Sequence, residues 1–331
     1  EYTIQSQTVT IYGPVINFSC NGNQLTSLDV TNNVALESLY CNDNLLTSLD
    51  VSNLSSLEYL GCYDNNLTSL NVSGVTMLKS LTCHNNQLTT VNTDNLTKLE
   101  MFRCNNNRIT TLDVTDNVLL TTLDCEKNQL VTLDVSRNTK LMRLTCAENQ
   151  LTSLNTSSIP SLLWLNCRNN RLTILQLNNP ALKELSCEKN QLVSFDIRPS
   201  VALTFLNCSR NNLTTLDISN NTALTYLYTA FNQLTTLDAS SNTALPALNC
   251  SFNQLVSLIV SNQGVINTVD CLSNRLRGTA IMELIESLPD RSGMNAGSVD
   301  FGLTFEDDQP GENNFTRGDE AEARKKNWYL Y

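Results

Sequence analysis

From Cys20 to Asn274 the chain repeats one hydrophobic frame at intervals of 20–21 residues. At Cys41 the frame reads Leu36-Glu-Ser-Leu39-Tyr-Cys41, then Asn44, then Leu46-Thr-Ser-Leu49-Asp-Val51. Apolar and polar residues alternate in both halves, the pattern of a strand with one buried face. Each frame therefore predicts two short extended segments and leaves no room for a long helix. A marker residue recurs at 20, 41, 62, 83, 104, 125, 146, 167, 187, 208, 229, 250 and 271, and it is cysteine everywhere except Thr229. Three residues after each marker stands an asparagine: Asn23, Asn44, Asn65, Asn86, Asn107, Asn128, Asn149, Asn170, Asn190, Asn211, Asn232, Asn253 and Asn274. A fixed period of this length is the mark of a solenoid, whose single turn cannot bury its apolar face until it stacks on its neighbours.

Leu36, Leu39, Cys41, Asn44 and Leu46 fit the spacing L-x-x-L-x-L-x-x-N-x-L with cysteine in the third apolar slot, and in this the chain resembles the leucine-rich repeats. The nested half-repeat is similar to the 21-residue bacterial cell-surface subclass related to the internalin type. The resemblance implies a right-handed coil of about thirteen turns with a parallel β-sheet on the concave face. It also implies asparagines that form a ladder bonding the turning backbone. The second alternating segment predicts a mostly extended convex side. The interval from Cys167 to Cys187 is 20 residues, and the missing residue falls in the loop containing Pro180, outside the core slots.

The ends differ from the repeat. Residues 1–19, with the alternating segment Thr8–Tyr12, are expected to be an N-terminal cap, and residues 20–276 the solenoid. Residues 277–331 are expected to be a C-terminal capping region ordered helix, strand, helix, strand. Ile281, Leu284, Ile285 and Leu288 share a helical face that Pro289 ends. Val299, Phe301, Leu303 and Phe305 alternate as a strand, Glu306–Asn314 reads as a loop, Asp319 as an N-cap of a helix to about Asn327, and Trp328–Tyr331 as a last strand.

Composition changes the picture in three ways. A net charge of −11 speaks against a nucleic-acid backbone or an anionic membrane as partner. No apolar run is long enough for a transmembrane segment. Twelve cysteines would ordinarily suggest disulfides, but their slots stack in single file at about 4.8 Å with parallel Cβ directions, which suits buried free thiols better than bridges or a zinc site. The chain opens at Glu1 without a methionine or an apolar leader, which fits a mature secreted protein with its signal removed or, equally, a trimmed chain; the resemblance favours the former.

Chemistry for catalysis is sparse. The one histidine, His84, follows Cys83 and points to the opposite face of a strand, so the two form no nucleophile and base. No phosphate loop, zinc motif or nucleophile elbow occurs, so neither enzyme activity nor a cofactor is expected. An outward column of Asp29, Asp50, Asp113, Asp134, Asp196, Asp217 and Asp238 reads as a solvated face, with calcium binding as the alternative. Arg317-Gly318-Asp319 matches an adhesive tripeptide.

Most outward positions on the first strand are small and polar. Arg143, Trp164, Glu184, Phe205 and Tyr226 break that rule in consecutive turns, with Arg168 and Tyr228 alongside, and Tyr40, Tyr59 and Tyr63 form a smaller group near the N-terminus. Aromatic and arginine side chains of this kind are enriched in binding hot spots. The resemblance implies a monomeric, non-enzymatic module for protein interaction or adhesion, presented outside a bacterial cell and binding through its concave face. Rings stacking on sugars offer the alternative of a glycan ligand.

Overall fold

A computed structural model describes residues 14–301 and 315–331. The two alternating segments of each frame become the two sides of a β-solenoid turn, and the inward slots become its core. For the turn at Cys41, Leu36, Leu39, Cys41, Leu46, Leu49 and Val51 are all buried. The expected segment Thr8–Tyr12 and the expected strand residues Leu303 and Phe305, with the loop Glu306–Asn314, lie outside the described residues.

The chain divides into two compact units, Glu1–Leu162 and Leu163–Tyr331. In the first, strands Asn17–Ser19, Ser38–Tyr40, Tyr59–Gly61, Ser80–Thr82, Met101–Arg103, Thr122–Asp124 and Arg143–Thr145 form a parallel main sheet. Its register moves one turn per strand, with Phe18, Leu39, Leu60, Leu81, Phe102, Leu123 and Leu144 in line. In the second, strands Trp164–Asn166, Glu184–Ser186, Phe205–Asn207, Tyr226–Tyr228, Ala247–Asn249, Thr268–Asp270, Gly297–Asp300 and Trp328–Leu330 repeat that arrangement. Leu165, Leu185, Leu206 and Leu227 line up, as do Leu248, Val269, Val299 and Leu330.

The other side of the turn is extended but pairs only in places, as where Ser48–Asp50 meets Ser69–Asn71 and Thr236–Ala239 meets Ser257–Val260. The short interval behaves as its sequence suggests: Leu182 stays fully buried and its N–H reaches Asn179 O at 3.0 Å. The deletion is absorbed by loop.

Beyond the repeat, helix α1 (Thr279–Ser287) buries Ala280, Ile281, Leu284 and Ile285, and Leu288 turns extended just before Pro289. Helix α2 spans Arg317–Lys325, and here one expectation needs correction. Asp319 is not the N-cap. Thr316 is, and Asp319 sits three residues on, so that the two cap each other: Asp319 N donates to Thr316 Oγ1 at 3.2 Å and Thr316 N donates to Asp319 Oδ2 at 2.7 Å. Lys326 then joins the two helices, its ammonium donating to Ile285, Glu286 and Leu288 carbonyls at 3.2, 2.7 and 2.9 Å, where the α1 C-terminus favours a cation. Gly297 is required by packing, since a Cβ there would lie 2.5 Å from Cε3 of the Trp328 ring, whose Nε1 donates to Pro289 O at 2.8 Å.

Candidate functional site

Two kinds of residue leave the core slots: those that face solvent from the main sheet and those that close the turns. In the second unit the outward column runs Trp164, Glu184, Phe205, Tyr226, each in Cα register with the next. Phe205 holds two tyrosines in place, with ring centroids 6.0 Å from Tyr226 and 5.9 Å from Tyr228 at tilted angles that suit aromatic pairs. Tyr226 nevertheless remains 54% exposed and Tyr228 40%. Trp164 and Arg168 are half-buried, and Glu184 is exposed. Arg143 belongs to the first unit, exposed on its strand in register with Thr122.

The first unit's aromatic group is also brought together by the fold. Tyr40 and Tyr59 are exposed on adjacent strands, and Tyr63 stacks on His84 with centroids 4.5 Å apart and planes 8° apart. Gly61 makes the room for Tyr40, because a Cβ at 61 would meet its Cδ1 at 2.8 Å. Sequence reasoning considered His84 only as a base and missed its place in this stack. Burial pushes the His84 imidazole below its usual range.

Beyond Tyr226 the outward column drops abruptly to Ala247 and Thr268. The result is a recess of about 320 Å³ between the tyrosines and the next strands, lined by Tyr226, Tyr228, Pro246, Ala247, Thr268 and Asp270 among others. Asp270 is half-buried, and desolvation first, then the charge of Asp300, raises its carboxyl above the usual range. The drop in side-chain size at 247 was the available signal for this recess.

The turn-closing residues explain the remaining columns. Asn44 donates to Cys20 O at 2.9 Å and Cys41 O at 3.0 Å, while its Oδ1 accepts from Asn23 N and Leu25 N at 3.0 and 2.9 Å. Asn128 repeats the pattern with Cys104 O, Cys125 O and Ile109 N, and Asn253 with Thr229 O, Cys250 O and Leu234 N. The aspartate column caps turns: Asp29, Asp113 and Asp217 each accept from the N–H and hydroxyl of the residue two ahead, and those bonds lower their carboxyls. The Asp319 carboxylate of the tripeptide is likewise committed to Thr316 and mostly buried.

All twelve cysteines are free and buried. Desolvation raises their thiols, Cys83, Cys167 and Cys208 to about 12. Cys125, Cys208 and Cys250 each point Sγ at the carbonyl of the next turn at 3.5 Å. Thr229 fills the same slot with an Oγ1 that donates to Asn249 O at 3.3 Å, which is why one threonine is tolerated in the file.

Among known proteins, the LVIVD repeat family matches residues 40–65. No curated protein matches the chain. Among solved structures, the functional domain of InlJ from Listeria monocytogenes, which includes a cysteine ladder, is 30% identical with a TM-score of 0.75 over 86% of this chain. The present chain spans 64% of that structure, less than two thirds of its length. A leucine-rich repeat protein of Leptospira interrogans is 23% identical at a TM-score of 0.70, covering 95% of this chain and 83% of its own. YopM, a leucine-rich effector protein of Yersinia pestis, is 26% identical at 0.60, covering 73% and 68%. The repeat frame, the stacked parallel strands and these neighbours give the chain the leucine-rich repeat fold.

Proposed function

We propose that this chain is a non-enzymatic protein-binding module, presented outside a bacterial cell, that engages its partner through the outward face of the main sheet. The observation that carries the reading is the aromatic strip Trp164, Phe205, Tyr226 and Tyr228 in the second unit. A sheet that needs only small polar residues outward instead displays large rings, two of them substantially exposed. Tyrosine and tryptophan offer wide contact area at little cost in side-chain entropy, the property that places them in hot spots. The likeness to InlJ and to the leucine-rich effector YopM supports protein binding over catalysis.

The test pairs Trp164→Ala and Tyr226→Ala with a screen of host-cell surface proteins and a glycan array. The expected outcome is a protein ligand whose affinity falls by about tenfold or more in each variant, at unchanged melting temperature, the effect of truncating a hot-spot ring. Undiminished affinity in both variants moves the site elsewhere. Saturable binding on the glycan array with none to protein replaces this reading by the sugar-binding one.

A further inference from the structure

The recess next to Tyr226 carries more chemical information than the strip it adjoins. Its floor is Ala247, the small residue that follows four large ones in the outward column. The tyrosines stand on one side, Pro246 adjoins the floor, and Asp270 stands on the other side, two strands across from Tyr228. Asp270 Oδ1 accepts from Leu272 N at 3.3 Å, and among the described residues no cationic side chain pairs with it. On the next strand Asp300 stands in Cα register with it, outside the lining of the recess.

We propose that this recess is a binding site for a lysine or arginine side chain of a partner polypeptide. The fit has three parts. An alkyl stem covers Ala247 and Pro246 as long cationic side chains cover apolar surface elsewhere. The cationic head meets the rings of Tyr226 and Tyr228, whose faces attract positive charge. Across the Ala247 floor from the rings, the Asp270 carboxylate supplies the countercharge. A neutral sugar ring would bring no charge to the Asp270 carboxylate. The net charge of −11 favours the approach of a basic segment over long range. The proposal rests on the reading of this sheet face as the binding surface and adds the chemistry of the ligand.

The test uses three short peptides, acetyl-Gly-Arg-Gly-amide and its lysine and citrulline counterparts, with NMR of the whole chain carrying labelled alanine methyl groups. The Ala247 methyl is expected to shift saturably with the arginine and lysine peptides, and about tenfold more weakly with citrulline, which keeps the shape and loses the charge. Asp270→Asn is expected to weaken the cationic peptides by about tenfold. Three outcomes overturn the proposal: equal binding of citrulline and arginine, no shift at millimolar peptide, or wild-type binding by Asp270→Asn. If any of these occurs while Tyr226→Ala still weakens the partner found in the screen, the binding face stands and only its cation specificity falls.

Discussion

Each turn is closed at two edges, and the edges are built on different terms. The near edge follows the marker and carries the asparagine ladder. The far edge lies three residues before the turn's first leucine, where a second column reads Asn33, Leu54, Val75, Leu96, Asn117, Asn138, Ile159, Asn179, Ser200, Asn221 and Asn242. Asn138 there donates to Val114 O and Asn117 O, both at 2.9 Å, much as a near-edge amide would. Yet those carbonyls already accept from Asn117 N at 3.0 Å and Leu120 N at 3.1 Å, bonds that form in the same way around Leu54. The far edge closes itself with backbone, so its inward side chain need only fill space. The Oδ1 atoms of Asn138, Asn221 and Asn242 accept no hydrogen bond.

At the near edge the backbone cannot help. Cys104 O receives the amides of Asn107 and Asn128 at 3.0 Å, and Ile109 N finds its acceptor in Asn128 Oδ1 at 2.9 Å. Two residues past each marker the chain turns through positive φ, as at Asp43 (56°), Lys127 (53°) and Phe231 (59°), which points these groups inward and away from their neighbours. One edge is therefore obligatory and the other substitutable.

Three perturbations sharpen this contrast, beginning with the largest. Raising the pH attacks at once the file of markers from which the near edge hangs, because the thiols are held protonated by burial. Unfolded cysteines lose their protons near their usual pKa of about 8.5, so above that pH the unfolded state binds fewer protons and stability falls. The loss is about 1.4 kcal/mol per thiol for each further pH unit, and these groups contribute no pH dependence below it. Melting temperature is expected to drop steeply between about pH 8.5 and 10, and less steeply in Cys104→Thr/Cys125→Thr. A flat profile in the wild type contradicts the buried-thiol assignment.

Next comes Asn128→Ala, which strips Cys104 O, Cys125 O and Ile109 N of a partner within the buried edge. Urea denaturation is expected to show a loss of about 3–5 kcal/mol, at the upper end for a single substitution. The smallest change belongs to the far edge, where Asn138→Leu copies what Leu54 already does. Its effect is expected to stay within about 1 kcal/mol, since the two carbonyls keep their backbone donors. If Asn138→Leu proves as costly as Asn128→Ala, the distinction between the edges collapses.

The repeat frame made the turns, the core slots and the stacked thiols readable in advance, and the helical spacing of Ile281, Leu284 and Ile285 did so for α1, because periodicity in side-chain type follows directly from which positions are buried. The far-edge column escaped because asparagine there alternates with Leu54, Val75, Leu96 and Ile159, so no single residue type marks it. Asp29 and its fellows do form a solvated face, and the spacing Asp-x-Thr or Asp-x-Ser adds the turn cap that a column of carboxylates does not reveal by itself. Asp319 was misplaced by three positions, since Thr316 offers the same capping chemistry from the other partner of the box. The aromatic strip was legible as a run of unusual types. The recess beside it is harder to read, for its one signal is the drop in size at Ala247, a single residue without a period.

The asparagine ladder also gives the coil a direction under load. Each asparagine belongs to one turn but ties down the turn before it, as Asn44 ties Cys20 O and Leu25 N, and Asn65 ties Cys41 O and Leu46 N. Peeling a turn from the C-terminal side withdraws the clamp from the turn it leaves behind, and that turn's main-chain groups lose their partner together. Peeling from the N-terminal side leaves the next turn's own clamp in place, with its amide still bound to its own marker carbonyl. Pulled by its two ends, the repeat should therefore come apart in single-turn steps of about 70 Å of chain. Force spectroscopy should find those steps entering from the C-terminal side, each loss preparing the next.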